Sequence, residues 1–119
     1  MKAYIMYESG EHGAEDIGPC KDKDEGVDYD SIIKCDMIDV VRRVVGGKDY
    51  MFVVDDEGLL TGRLPVARGV HNGATVEALV GTLVVVGMPD GDGWCQSLND
   101  EDIENIESHI QGGLLVYAF

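Results

Sequence analysis

The chain has 119 residues, of which 45% are hydrophobic, a composition that fits one folded domain and excludes disorder over the whole length. It carries 23 Asp and Glu against 9 Lys and Arg, for a formal net charge of -14. Because phosphates repel carboxylates, this charge disfavours direct binding to nucleic acids or anionic membranes, and it favours a basic protein as partner.

Nothing in the sequence predicts export or membrane insertion. The opening segment, MKAYIMYESG, lacks the apolar run of a signal peptide, and no window approaches the length of a membrane span. The three cysteines, Cys20, Cys35 and Cys95, are widely spaced and form no Cys-x-x-Cys pair. We therefore expect reduced thiols in a cytoplasmic protein.

The first third of the chain predicts a strand, an acidic loop and a helix. Residues 2–7 are rich in β-formers and predict a strand. Residues 8–28 are crowded with charges and glycines, and they predict a long acidic loop or a partly disordered segment within the single domain of residues 1–119. Asp30 or Ser31 suits a helix N-cap, after which apolar residues recur at helical spacing to Val44. Gly46-Gly47 is interpreted as the end of that helix.

The middle of the chain predicts strands joined by turns. Residues 50–54 predict a strand, with a turn at Gly58 and a hairpin partner that starts at Leu59 and ends or bends at Pro65. Asn72-Gly73 is a second turn signal. Residues 76–80 fit either a helix or an extended segment, and residues 82–87 predict a buried strand.

The last part predicts a second helix and a final strand. Asn99 suits a helix N-cap, because three acids follow it in what would be the first turn. An apolar stripe is formed by Ile103, Ile106 and Ile110. Gly112-Gly113 is interpreted as the helix end. Residues 114–119 predict a strand. The expected fold is α+β: a small mixed, mostly antiparallel sheet with two helices packed on it.

The candidate partner-binding residues are acidic or aromatic and lie in two segments. They are Asp22, Asp24, Glu25, Asp28, Asp90, Asp92 and Trp94. A calcium loop is the competing interpretation of the first segment, but aligning Gly26 with the invariant loop glycine places Lys21 and Lys23 at ligand positions. A solvated linker remains the other interpretation, and we expect no metal site.

Two arginines are the alternative candidates, since cations are scarce in this chain. Arg63 and Arg68 flank the sequence LPVA and suit either an anionic small molecule or pairing with local acids. The histidines His12, His71 and His109 have no local catalytic or zinc-binding signature around them. No phosphate or dinucleotide fingerprint occurs. We therefore expect no enzyme activity and no cofactor.

The runs VVGGKDYMFVVDDEGLLTGRLPVAR, VEALVGTLVVVG and SLNDEDIENI resemble an uncharacterised family, the domain of unknown function three-eight-four-six. The resemblance covers roughly residues 30–110, with the acidic loop and the tail outside it. Members of that family are short proteins of bacteriophages, plasmids and the bacteria that carry them. The resemblance thus implies a mobile-element origin, and it implies no catalytic residues.

Three functions remain open at this point. The first is a non-enzymatic protein of a phage or mobile element that binds a basic host protein. In this hypothesis the host protein is a nucleic-acid-handling enzyme, and the acidic chain binds it as a DNA mimic. The second is a small-molecule binding module that uses Arg63 and Arg68. The third is a structural or accessory domain. The sequence does not specify an oligomeric state.

Overall fold

The computed structural model describes residues 1–18, 29–35, 37–58, 62–91 and 95–119. These residues form nine strands and two helices. In chain order the elements are β1 (Lys2–Met6), β2 (His12–Asp16), α1 (Tyr29–Ile33), β3 (Ile38–Val45), β4 (Lys48–Asp55), β5 (Pro65–His71), β6 (Ala74–Val80), β7 (Leu83–Val86), α2 (Asp100–Glu107), β8 (Ile110–Gln111) and β9 (Leu114–Ala118).

All nine strands belong to one sheet. Its order is β2-β1-β7-β4-β3-β9-β5-β6. The short strand β8 pairs with the start of β9, at Leu114 and Leu115, whereas β3 pairs with the end of β9, at Ala118. The pairing of β5 with β9 is parallel, and the other described pairings are antiparallel. The expectation of a mostly antiparallel sheet with two helices is confirmed, although strands account for far more of the structure than helices do.

The sheet curls around its larger core. Strands β4 and β6 contact each other although β3, β9 and β5 separate them in the sheet order. The concave side packs against α2 and holds most of the large buried side chains, including Tyr4, Tyr50, Phe52, Ile106 and Tyr117. The opposite side packs against α1 over β1, β7 and β4, with Ile33 and Val84 among its buried residues.

The predicted helix after Ser31 is wrong over most of its length. Helix α1 ends at Ile33, Lys34 adopts a left-handed backbone with φ of 61°, and Ile38–Val45 is strand β3. Gly46 and Gly47, with φ of 57° and 83°, form the turn of the β3–β4 hairpin instead of ending a helix. Positive φ at both central residues is what a two-residue type I′ hairpin requires.

Three further expectations need correction. The β4 strand pairs with β3 and β7, so its partner is not the segment that follows Gly58. Pro65 is the first residue of β5, where a strand tolerates a missing N–H, and not its end. Gly112 and Gly113 form the β8–β9 turn, five residues beyond the end of α2.

The proposed loop at residues 8–28 also contains a strand. Strand β2 pairs with β1 along its whole length, from Met6 opposite His12 to Lys2 opposite Asp16. The rest of that segment, residues 19–28, lies outside the described residues. Two smaller predictions are wrong, since Asp30 and Ser31 lie inside α1 and not at its N-cap, and Ile110 lies in β8 and not on α2. Five others are confirmed: the first strand, the turn at Asn72-Gly73, the fully buried β7, the cap of α2 and the final strand.

Candidate functional site

Helix α2 begins at a capping box. The side chain of Asn99 accepts a hydrogen bond of 2.8 Å from the backbone N–H of Asp102, and Asp102 Oδ2 accepts one of 3.0 Å from the backbone N–H of Asn99. This reciprocal pair satisfies two N–H groups that a helix end leaves without partners. The first turn of an eight-residue helix is thereby held in place.

The other oxygen of Asp102 points into the protein. Asp102 Oδ1 accepts hydrogen bonds from the Tyr50 hydroxyl, at 2.9 Å, and from the Lys48 ammonium group. Burial raises the pKa of Asp102, but the hydrogen bonds from Lys48, Asn99 and Tyr50 outweigh burial, so its pKa lies below the ordinary value. The hydrogen bond to Asp102 raises the pKa of Lys48.

The last turns of α2 lie directly on the β3–β4 hairpin. Asn105 Nδ2 donates hydrogen bonds to the Val45 carbonyl, at 2.9 Å, and to the Tyr50 hydroxyl, at 3.0 Å. A Cβ on Gly46 would lie 2.7 Å from His109 Cε1 and would also overlap Asn105. Ile106 is fully buried on the same side. The helix is therefore fixed to the sheet by packing and by hydrogen bonds along its whole length.

The solvent side of α2 consists of carboxylates. Asp100, Glu101, Glu104 and Glu107 are all exposed, and the last turn of the helix holds no basic residue. At 3.6 residues per turn and 1.5 Å per residue, these four side chains occupy an arc of about 120° over about 10 Å of helix axis. The mean axial spacing between neighbouring charges is ~3.5 Å, compared with ~3.4 Å between phosphates along one strand of duplex DNA. We call these four residues the α2 acidic face.

One end of the α2 acidic face joins the sheet through Tyr4. The buried Tyr4 hydroxyl donates a hydrogen bond of 3.2 Å to Glu107 Oε2 and lies 2.8 Å from His12 Nδ1. Burial, followed by the charge and the hydrogen-bond contact of Glu107, raises the pKa of Tyr4 to about 12. Glu107 is thus held in position by a phenol that keeps its proton at neutral pH.

The residues proposed from sequence for partner binding fall mostly outside the described part of the chain. Asp22, Asp24, Glu25, Asp28, Asp92 and Trp94 are outside it. Asp90 is described, and it is exposed in the segment that follows β7. The α2 acidic face was not selected from the sequence, although four outward acids on an Asn-capped helix are a readable signal.

The two arginines proposed as ligand-binding residues make different contacts. Arg63 Nε lies 2.7 Å from Asp55 Oδ2, and its other nitrogens donate to the carbonyls of Ile33 and Lys34. Arg63 also lines a cavity of about 250 Å³, shared with Glu8, Lys34 and Thr82. Arg68 donates to Thr75 Oγ1 at 3.1 Å, on β6. Arg63 thus ties the end of α1 to β4, whereas Arg68 joins β5 to β6.

Within the described residues, the structure contains neither a cluster of metal ligands nor a membrane-spanning helix. Over these ranges, no group of three or more His, Cys, Asp or Glu side chains is placed to hold a metal ion. In the same part of the chain, no helix is long and apolar enough to cross a membrane.

The family model described as "Domain of unknown function (DUF3846)" matches residues 1–111. The chain belongs to this family. The match starts well before the resemblance seen in the sequence, so that β1, β2 and the acidic segment between β2 and α1 lie inside the DUF3846 region. No curated protein and no solved structure matches the chain.

Proposed function

We propose that this DUF3846 protein is a small non-enzymatic binding protein of a phage or mobile element. It acts in the cytoplasm and binds a basic protein through the α2 acidic face, in the place that a nucleic acid would occupy. The observation that carries the proposal is the α2 acidic face itself: four exposed carboxylates on a helix whose inner side is fixed to the sheet.

Rigidity matters because binding normally requires side chains and segments to become ordered. In α2 the backbone is already fixed by the capping box, by Asn105 and by the buried Ile106. Glu107 is positioned by the Tyr4 hydroxyl, so the side chains of Asp100, Glu101 and Glu104 remain to be ordered on binding. A basic surface that has evolved to meet phosphates at close spacing would meet carboxylates at a similar axial spacing here.

The charge of the whole chain supports the same partner class. A net charge of -14 attracts a basic protein over a distance of about one Debye length, roughly 8 Å at physiological ionic strength. Such electrostatic steering raises the association rate constant. Because salt screens the attraction, the rate constant should decrease as the salt concentration rises. The mobile-element origin implied by the family resemblance directs the proposal to nucleic-acid-handling host proteins.

The test is capture of basic proteins from a bacterial lysate, with matched charge variants. In the first variant Asp100 becomes Asn, and Glu101, Glu104 and Glu107 become Gln. The control variant changes four exposed acids elsewhere, Glu11, Asp39, Asp56 and Glu57, to their amides, so that the net charge changes equally. We expect the first variant to lose the captured protein and the control to keep it. Duplex DNA added in excess should displace the captured protein from the unmodified chain.

Two outcomes contradict the proposal. One is capture that survives removal of the α2 charges, and the other is a captured protein that binds DNA and this chain simultaneously. If changing Asp22, Asp24, Glu25 and Asp28 to amides abolishes capture instead, the partner surface lies in that segment. The alternatives, a small-molecule site at Arg63 and Arg68 or an accessory domain, both predict that no binding depends on the α2 carboxylates.

A further inference from the structure

A cavity of about 250 Å³ lies between the β1–β2 turn and the end of α1. Polar and apolar side chains share its wall, which includes Tyr7, Glu8, Ser9, Ile32, Arg63 and Thr82. Small-molecule sites usually have this anatomy, an apolar lining with a few fixed polar groups. None of the four residues of the α2 acidic face lines the cavity, so the two features are separate.

The Arg63 side chain is held in place at this cavity by its contacts within the protein. Its Nε pairs with Asp55, and its terminal nitrogens donate to the carbonyls of Ile33 and Lys34. Gly81 leaves room for the side chain, since a Cβ there would lie 2.8 Å from Arg63 Cδ. Each terminal nitrogen of a guanidinium carries two hydrogens, so Nη1 keeps a second N–H beyond the one that Ile33 accepts.

Glu8 brings an unsatisfied acceptor to the same cavity. Its Oε2 atom is buried, and among the described residues no group donates a hydrogen bond to it. Arg63 Nη1 lies 3.9 Å away, which is an ion-pair distance but too long for a hydrogen bond. The backbone N–H of Glu8 donates to Thr82 Oγ1 at 3.2 Å, which fixes the main chain at this point. A buried acceptor of this kind needs a donor, and a ligand can supply it.

The charges around the cavity balance one another. Glu8, in the wall, and Asp55, behind Arg63, are anions. Arg63 and Lys34, both in the wall, are cations. A charged ligand would therefore meet a like charge for each opposite charge. The unused groups are instead one acceptor, Glu8 Oε2, and one donor, on Arg63 Nη1. They match a neutral group that carries an N–H and a C=O side by side.

We propose that this cavity binds a small neutral ligand through an amide edge. The ligand N–H donates to Glu8 Oε2, and the ligand C=O accepts from Arg63 Nη1. At about 250 Å³ the cavity is smaller than sites for drug-sized molecules, so the ligand is no larger than about one ring. Arg68 takes no part, because it donates to Thr75 and does not line the cavity. The proposal is independent of the proposed function.

The experiment is an NMR titration of the full chain with 2-pyridone, a single ring that has one N–H beside one C=O. The matched control is N-methyl-2-pyridone, which keeps the ring and the carbonyl but has no N–H donor. We expect the amide chemical shifts of Ser9, Lys34 and Thr82 to change and to saturate at millimolar 2-pyridone, since so small a molecule makes few contacts. The N-methyl compound should bind roughly tenfold more weakly or worse.

Two variants locate the contact. Glu8→Ala removes the acceptor, whereas Glu11→Ala removes an exposed acid from the same turn that does not line the cavity. We expect Glu8→Ala to lose affinity for 2-pyridone by roughly tenfold or more and Glu11→Ala to bind as wild type does. The variant with amides in place of the four α2 carboxylates should also keep the ligand. Loss of the basic partner and loss of the ligand are therefore distinguishable.

Shifts that do not saturate with 2-pyridone, or that saturate equally with its N-methyl derivative, overturn the proposal. So does a Glu8→Ala variant that binds as tightly as wild type, or saturable shifts that lie away from the cavity. The comparison of the two pyridones uses the wild-type protein alone, so it decides the proposal even where Glu8→Ala fails to fold.

Discussion

The hydroxyl of Tyr50, in β4, donates a hydrogen bond of 2.9 Å to Oδ1 of Asp102, in α2. Both residues are buried, and the same carboxyl group caps its own helix through Oδ2. One acid of this very acidic chain therefore serves the structure, while its helical neighbours face solvent. The division of α2 into a buried side and an exposed acidic side depends on this contact.

Asp102→Asn should destabilise the protein by about 1–2 kcal/mol at neutral pH, because the Lys48 ion pair and a charge-assisted hydrogen bond are lost. The folded-state pKa of Asp102 lies below its ordinary value. Its contribution is therefore present at neutral pH and is lost as pH falls through the folded pKa. The difference in unfolding free energy between wild type and variant, measured in urea, should shrink in acid.

Asp100→Asn is the control for this measurement, since that side chain is 99% exposed. It should leave the unfolding free energy within about 0.5 kcal/mol of wild type. Equal stability of wild type and Asp102→Asn at neutral pH would show that the buried carboxylate does not hold α2 to the sheet.

The two glycines of the β3–β4 turn should differ sharply in how well they tolerate substitution by alanine. Both have positive φ, so alanine strains the backbone at either position by about 1–2 kcal/mol. At Gly46 the added Cβ also meets Asn105 and His109, whereas at Gly47 it meets nothing within 4 Å. Gly46→Ala should therefore lower the melting temperature more than Gly47→Ala. Equal losses at the two positions would mean that α2 does not press on the turn.

That turn is also where prediction from sequence failed. Val40, Val41 and Val44 fit helical spacing, yet β3 is apolar on both sides. Val41 packs on the larger core, whereas Val40 and Val44 lie on the opposite side of the sheet. The alternation that marks a half-buried strand is therefore missing. Val-rich segments on both sides of Gly-Gly are a hairpin signal, and that signal was available.

Other parts of the structure could not be read from the sequence for a different reason. Strand β2 is a charged edge strand, and only its pairing with β1 makes it a strand. The cap at Asn99 was predictable because its partners lie three residues away. The burial of Asp102 was not, because Tyr50 and Lys48 are about fifty residues distant in the chain and the contact exists only after folding.

Tyr4→Phe should make stability less sensitive to alkaline pH. The pKa of Tyr4 is raised from 10.0 to about 12. A tyrosine whose pKa is higher in the folded than in the unfolded protein contributes its full stability below the unfolded-state pKa. That stability is lost as pH rises from the unfolded-state pKa to the folded-state pKa, here from pH 10 to about pH 12. Wild type should lose more unfolding free energy than the variant across this window, as measured by urea unfolding at several pH values.

At neutral pH the same variant should cost about 1 kcal/mol, the typical contribution of one hydrogen bond. Under the proposed function, it should also weaken capture of a basic protein slightly, because Glu107 loses the hydroxyl that positions it. Parallel alkaline profiles for wild type and variant would show that Tyr4 is not the group that titrates in this window.

Arg63→Gln should destabilise the protein by about 2–3 kcal/mol, whereas Arg68→Gln should stay within about 0.5 kcal/mol of wild type. The reason is the Asp55 side chain, which is only 3% exposed and has the Arg63 guanidinium 2.7 Å away. Removing that cation leaves a buried carboxylate without its charge partner, which costs more than the lost contact itself. Two carbonyls at the end of α1 lose donors as well. Among the described residues, Arg68 donates a side-chain hydrogen bond to Thr75, on an exposed strand.

Thermal and urea unfolding of both variants check the expectation. Equal, small effects at the two arginines would leave Arg63 available for a ligand and would favour the small-molecule interpretation of the cavity beside it.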